Sequence, residues 1–287
     1  MLMLLCEVIV IMQWKEITLQ RDDRNSFYCR TIGEGQPLLL IHGAACDSEF
    51  FIDTAPVLAQ KYQVIIYDRS GYGHSVLDDG QVARDCTEYF NGQGDDGAWI
   101  LEQLVPGQKA VVVGCSCGAA VASYLAARHP EVVDKVLVHE PPFYSLLPDY
   151  KESWDLIEGI FEAIEAKKYN RALNRFLLFL GSNSAPSKKP MTEAEMNSFT
   201  ANGLVFVRNE FTFGFDKDFG VPKLKGEVDI SVLWGEDGKD TPLAVCAGRL
   251  AKLLDCPLYA IPGGHNAARE DPEDFAKAVM KIVEREV

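Results

Sequence analysis

Positions 114–118 read Gly114-Cys115-Ser116-Cys117-Gly118, a serine with glycines two before and two after it. A hydroxyl held on such a turn can attack a carbonyl carbon once a base removes its proton. Of the five histidines, His265 is best placed for that work. It sits in the glycine-rich stretch Pro262-Gly263-Gly264-His265-Asn266, directly after an apolar run. His42, His74, His129 and His139 fall at strand ends or in a helix. The base needs a carboxylate to fix its tautomer and to stabilise the imidazolium. Glu140, after one apolar run, is a candidate, as are Asp237 and Asp240, in a polar loop after a later one. The residues alone leave that choice open.

These groups must be carried by elements that bring them to one edge. Ala110–Val113 is a β-branched apolar run suited to a buried parallel strand. The Ala-rich continuation to Arg128 suits a helix, so Ser116 lies on an abrupt strand-to-helix turn. The first N–H groups of that helix, Cys117 foremost, suit an oxyanion. Leu38–Ile41 is another buried strand, running into His42-Gly43-Ala44, where an N–H of Gly43 or Ala44 supplies the second oxyanion donor. His42 reads as a structural histidine that holds this loop. Tight turns follow the strand Val64–Tyr67, in Asp68-Arg69-Ser70-Gly71-Tyr72-Gly73-His74-Ser75. Its two glycines are too few for a dinucleotide fingerprint. Asp68 and Arg69 are expected to pair or hydrogen-bond within the loop.

The remaining chain alternates strands and helices on both sides of a different middle. Trp14–Leu19, Phe27–Ile32 and Lys135–His139 read as strands. Ser48–Gln60 reads as a helix, and Cys86–Leu104 as one broken near Asn91-Gly92-Gln93-Gly94. From Phe143 to about Lys225 the alternation stops. Trp154, Ile157, Ile160, Phe161 and Ile164 recur at helical spacing, as do Leu173, Phe176, Leu177 and Leu180. Phe206, Phe211, Phe213, Phe215 and Phe219 follow. Most of these aromatics should pack on one another, with some, such as Trp154 or Phe161, lining an apolar pocket. Alternation resumes with a strand at Asp229–Trp234, a helix at Pro242–Leu254, a strand at Pro257–Ile261 and a closing helix from Pro272.

Composition bounds the function classes. With 287 residues, 47% hydrophobic and 24% charged, the chain suits a globular α/β protein with an insertion. A net charge of −14 argues against nucleic acid and anionic membrane surfaces as partners. The eight cysteines show no zinc spacing and read as free thiols in a reducing, cytoplasmic compartment. Cys115 and Cys117 read as small packing residues. Met1–Met12 is too short to span a bilayer and lacks a basic signal-peptide start, so a leading strand or an upstream extension is expected.

His42-Gly43, Asp68 to Ser75, Gly114 to Gly118 and Pro262 to His265 occur in that order, and through them nearly the whole chain resembles the α/β-hydrolase superfamily. The resemblance implies an α/β fold with a mostly parallel sheet flanked by helices and an inserted helical cap. The segments would be a first core part (1–142), a cap (143–225) and a second core part (226–287). The family's usual acid falls where this chain has Gly238, so Asp237 or Asp240 would need a shifted loop. Gly114 to Ala119 and His139-Glu140-Pro141-Pro142 resemble the zearalenone-lactonase-like group, whose acid is a glutamate after the strand that follows the nucleophile. That pattern assigns the triad to Ser116, His265 and Glu140. The expected activity is hydrolysis of an ester or lactone of an apolar small molecule through an acyl-enzyme, with no metal or cofactor. Carbon–carbon bond hydrolysis, acyl transfer, and slow-turnover ligand binding on the same residues are the alternatives.

Overall fold

In the computed structural model, residues 12–76, 86–147, 154–184, 186–211, 224 and 228–285 are described. The leading segment to residue 11 and Phe213, Phe215 and Phe219 lie outside them, as do the side chains of Trp154 and Leu180. The central strand, Ala110–Cys115, has all six of its residues buried. It is one of eight strands in a single sheet: β1 (Lys15–Gln20), β2 (Ser26–Ile32), β3 (Gln36–Ile41), β4 (Tyr62–Tyr67), β5 (Ala110–Cys115), β6 (Val133–His139), β7 (Asp229–Gly235) and β8 (Leu258–Ile261). Their spatial order is β1-β2-β4-β3-β5-β6-β7-β8. β2 runs antiparallel to both neighbours, and β3 through β8 are parallel. The expected mostly parallel sheet with flanking helices is the observed one.

The helices are α1 (Ala55–Leu58), α2 (Cys86–Leu104), α3 (Cys117–Arg128), α4 (Trp154–Glu165), α5 (Tyr169–Asn183), α6 (Glu193–Asn209), α7 (Pro242–Leu254), α8 (Ala267–Glu270) and α9 (Pro272–Glu284). One face of the sheet packs on α2, α3 and α7, and the other on α1, α8 and α9. A third apolar cluster joins α4, α5 and α6, which lie between β6 and β7 in the chain. No helix among the described residues is long and apolar enough to cross a membrane.

Three local expectations need correction. Ser48–Gln60 is not one helix but a 3-10 turn (Ser48–Phe51) followed by α1, because Pro56 has no N–H to continue the first and suits the start of the second. α2 runs unbroken through Asn91–Gly94, since the bare Gly94 lets it sit against α3, where a Cβ would lie 2.9 Å from the Leu125 nitrogen. The third is half right: Asp68 does hydrogen-bond within its loop, accepting the His74 N–H at 2.8 Å, and also accepts the Ser48 N–H at 2.8 Å, but the Arg69 side chain leaves the loop and turns inward to Glu210.

Topology fixes where a site can form. β3 pairs with β4 on one side and β5 on the other, so the chain reverses its direction of sheet growth between β3 and β5. Crevices that hold ligands open outside the carboxyl ends of the strands at such a point. The residues following those two ends are His42-Gly43 and Ser116.

Candidate active site

Ser116 stands on the turn from β5 to α3 at φ 55° and ψ −125°, a conformation that costs a non-glycine residue about 1–3 kcal/mol. The neighbouring glycines make the turn sterically feasible. A Cβ on Gly114 would lie 2.2 Å from the Gly118 oxygen, and one on Gly118 would lie 2.1 Å from the Ile41 oxygen. The Ser116 N–H donates to the His139 carbonyl at 2.9 Å, tying the turn to the end of β6. Cys117 opens α3, so its N–H has no carbonyl one turn earlier to accept it.

The residue after His139 is Glu140, also at positive φ (45°) and 1% exposed. Its Oε2 lies 2.7 Å from His265 Nδ1, and its Oε1 accepts the Gly235 N–H at 2.9 Å. Burial works against its charge, yet the hydrogen bond from His265, the nearby imidazoles and the Gly235 N–H bring it down to about 2. An ionised carboxylate facing Nδ1 keeps the His265 proton there and leaves Nε2 as the acceptor. Ser116 and His265 line the same cavity.

The other two carboxylate candidates lie elsewhere. Asp237 is exposed and pairs with Lys188 at 2.5 Å, and Asp240 is exposed. Gly238, at the place of the superfamily's usual acid, is buried, and a Cβ there would be 3.5 Å from Glu140 Oε1. The space a side chain at 238 would fill therefore adjoins the Glu140 carboxylate.

The cavity has a volume of about 430 Å³, a size suited to a small molecule. Its walls are aromatic, with Phe50, Phe90, Phe176, Phe179, Phe206 and Phe211 among them. Gly43, Ala44 and Cys117, the expected oxyanion donors, line it as well. Phe161 is not among the described lining residues: it packs on Phe211 at 5.5 Å within the α4–α6 cluster. Among the described residues no group of three or more His, Cys, Asp or Glu is arranged to hold a metal ion.

His42 is fully buried and bonded through both ring nitrogens, to the Gly43 carbonyl and the Arg69 N–H. Burial, then the Arg69 charge, push it down to about 4, so it is neutral and holds its loop as expected. The cysteines on either side of Ser116 are buried thiols. Burial pushes Cys115 upward, and burial with the Glu210 charge does the same for Cys117.

Sequence reasoning missed one set of residues. Arg69, 0% exposed by side chain, pairs with Glu210 at 3.0 Å, and Glu210 also accepts from the hydroxyls of Tyr72 and Tyr89 at 2.7 Å each. Glu210 lines the cavity and caps the carboxyl end of α6. No local pattern announced this cluster, because its members are up to 141 residues apart.

The family model for the alpha/beta hydrolase fold matches residues 36–206, more than half of the chain. The chain is 27% identical to the uncharacterised hydrolase YraK of Bacillus subtilis over 276 residues, covering 94% of this chain and 96% of that protein. It is 25% identical to a 2-hydroxy-6-oxo-6-(2'-aminophenyl)hexa-2,4-dienoic acid hydrolase of Metapseudomonas resinovorans, covering 88% of this chain and 86% of that one. The solved structure of the carboxylesterase CesB of Bacillus subtilis superposes with a TM-score of 0.69 at 14% identity, covering 94% of this chain and 92% of the other.

Proposed function

Because this chain belongs to the alpha/beta hydrolase fold family, we propose that it is a serine hydrolase that cleaves an ester or lactone of an apolar small molecule. The observation that carries the reading is the 2.7 Å contact of His265 with the buried Glu140 carboxylate, at the cavity Ser116 lines. His265 Nε2 takes the Ser116 proton as the hydroxyl attacks the substrate carbonyl. The Cys117 N–H, with that of Gly43 or Ala44, holds the oxyanion. His265 then returns the proton to the departing alcohol. A water molecule, deprotonated by the same nitrogen, releases the acyl group. The helices α4 to α6 act as the cap, and their phenylalanines receive the apolar part of the substrate.

The relative named for a dienoic acid substrate raises carbon–carbon bond hydrolysis as a second reading. The charges of the cavity favour the first. Among the described lining residues the only cation is Arg269, which donates to Glu195 and to the carbonyls of Lys189 and Pro190. A substrate carboxylate would have to displace Glu195, whereas a neutral ester meets no such cost.

The test is labelling with a fluorophosphonate and turnover on panels of esters, lactones and vinylogous diketones. Ser116→Ala should abolish both labelling and turnover. Labelling that persists at another residue refutes the assignment, and turnover of diketones alone transfers it to the second reading.

A further inference from the structure

Arg69 is fully buried beside the site, yet the chemistry above assigns it no step. Its backbone N–H donates to His42 Nε2 at 3.0 Å. That nitrogen must therefore be an acceptor, and the His42 proton is on Nδ1, which donates to the Gly43 carbonyl at 2.9 Å. Arg69 Nη2 donates to the same carbonyl at 3.2 Å. In a trans peptide the C=O and the following N–H point in opposite directions. Two donors that pin the Gly43 oxygen thus also aim the Ala44 N–H the other way. Gly43 itself packs on the nucleophile: a Cβ there would lie 3.0 Å from Ser116 Cβ and 3.7 Å from its Oγ.

The guanidinium is held in turn. It forms a bidentate pair with Glu210 at 3.0 and 3.3 Å and lies 4.5 Å above the Tyr72 ring. Glu210 belongs to the end of α6, so a residue of the inserted helices reaches the Gly43 carbonyl through one side chain.

We propose that Arg69 is a positioning residue for the oxyanion hole, and that Glu210 sets its position, so that docking of α6 and the aim of the Ala44 N–H are linked. The proposal rests on the serine-hydrolase reading and extends it. It selects Ala44 over Gly43 as the second donor. A pair that merely stabilised the fold would leave each folded molecule with an unchanged chemical step.

The experiment compares the full-length wild type with Arg69→Met/Glu210→Gln, a double variant that removes both charges and leaves neither one stranded in the interior. Arg69→Lys, which keeps the charge opposite Glu210 but loses the planar fork, is measured alongside it. The readouts are kcat and KM for an ester, affinity for a trifluoromethyl ketone that forms a tetrahedral adduct, and affinity for a non-reactive apolar competitor. The expected result, per folded molecule, is a loss of about tenfold or more in kcat and a similar loss in ketone affinity. In the double variant KM and competitor affinity should change by clearly less than kcat and ketone affinity, and in Arg69→Lys, which leaves the cavity-lining Glu210 in place, they should change by less than about twofold. Arg69→Lys should show the same split at smaller amplitude, and it decides the matter if the double variant fails to fold. Folded variants with wild-type kcat and ketone affinity overturn the proposal, as does an equal loss of competitor affinity. Failure of the underlying reading has a different signature: a wild type that is not acylated at Ser116.

Discussion

Replacing Glu140 by Gln tests the geometry at its most specific point. Glu140 Oε1 accepts the buried Gly235 N–H, which requires an acceptor. A glutamine would keep its carbonyl oxygen there and turn its NH2 toward His265 Nδ1. A donor facing Nδ1 makes that nitrogen an acceptor and moves the imidazole proton to Nε2. His265 then presents a proton where it must accept one. Amide replacement of a triad acid costs about 10⁴-fold in kcat, or about 5.4 kcal/mol of transition-state stabilisation. KM should stay within about twofold, since Glu140 is not among the described residues that line the cavity. Asp237→Asn is the control. Its carboxylate is 42% exposed, so loss of the Lys188 pair should cost less than about 1 kcal/mol in stability and leave kcat intact. The assay is steady-state hydrolysis of a short-chain p-nitrophenyl ester, normalised to folded protein by circular dichroism. Wild-type kcat in Glu140→Gln, or a large loss in Asp237→Asn, refutes the reasoning and hands the acid's role to the later loop.

Moving the acid should give partial rescue: Glu140→Ala/Gly238→Asp should recover at least about tenfold of the kcat lost in Glu140→Ala, because a carboxylate at 238 would enter the space beside residue 140. No recovery in the folded double variant would contradict that placement. Acid stability should follow His42 and His139, both held neutral at about 4 by burial against an ordinary 6.5. Between those values the unfolded chain binds protons that the folded chain does not, so stability is complete above pH 6.5 and falls by up to about 3 kcal/mol per histidine by pH 4. Urea midpoints across that range should show it, with His139→Phe losing about half of the dependence; an unchanged slope in that variant contradicts the account. Gly118→Ala should unfold the elbow or leave an inactive protein, since its Cβ would overlap the Ile41 carbonyl; an active, stable variant, read by turnover and thermal melt, would show that α3 can retreat.

The legible parts of this protein are those whose constraints are local. β5, the elbow and the start of α3 are contiguous, and their steric demands fall on Gly114 and Gly118, two residues either side of the serine. The buried parallel strands β3 to β7 matched to within about two residues for the same reason, since such a strand leaves a short apolar run. Read from its chemistry alone Glu140 was one of three, because a carboxylate after an apolar run does not tell whether β6 or β7 ends nearer His265, and only the resemblance carried by His139-Glu140-Pro141-Pro142 preferred it. The Arg69–Glu210 pair was illegible: a strand-end arginine suggests a local loop partner, and only the folded position of α6 brings a glutamate from 141 residues away.

The proposed assignment of the acid to Glu140 also accounts for a pattern in the backbone. Six described residues other than glycine have positive φ. Asp255 and Arg285 end α7 and α9 in the left-handed conformation that helix termini favour. Lys167 lies in the turn between α4 and α5. The other three, Ala45, Ser116 and Glu140, each lie shortly after a neighbouring parallel strand, β3, β5 or β6. Three adjacent strands thus all turn sharply at their carboxyl ends, where the site is. An acid carried from β6 needs such a turn to swing its carboxylate under His265, as well as the bare Gly238 and the Gly235 N–H on β7 to receive it. These requirements sit on two strands, so transferring the carboxylate alone to position 238 leaves the strained turn at 140 without a function. That is why the rescue should be partial rather than complete.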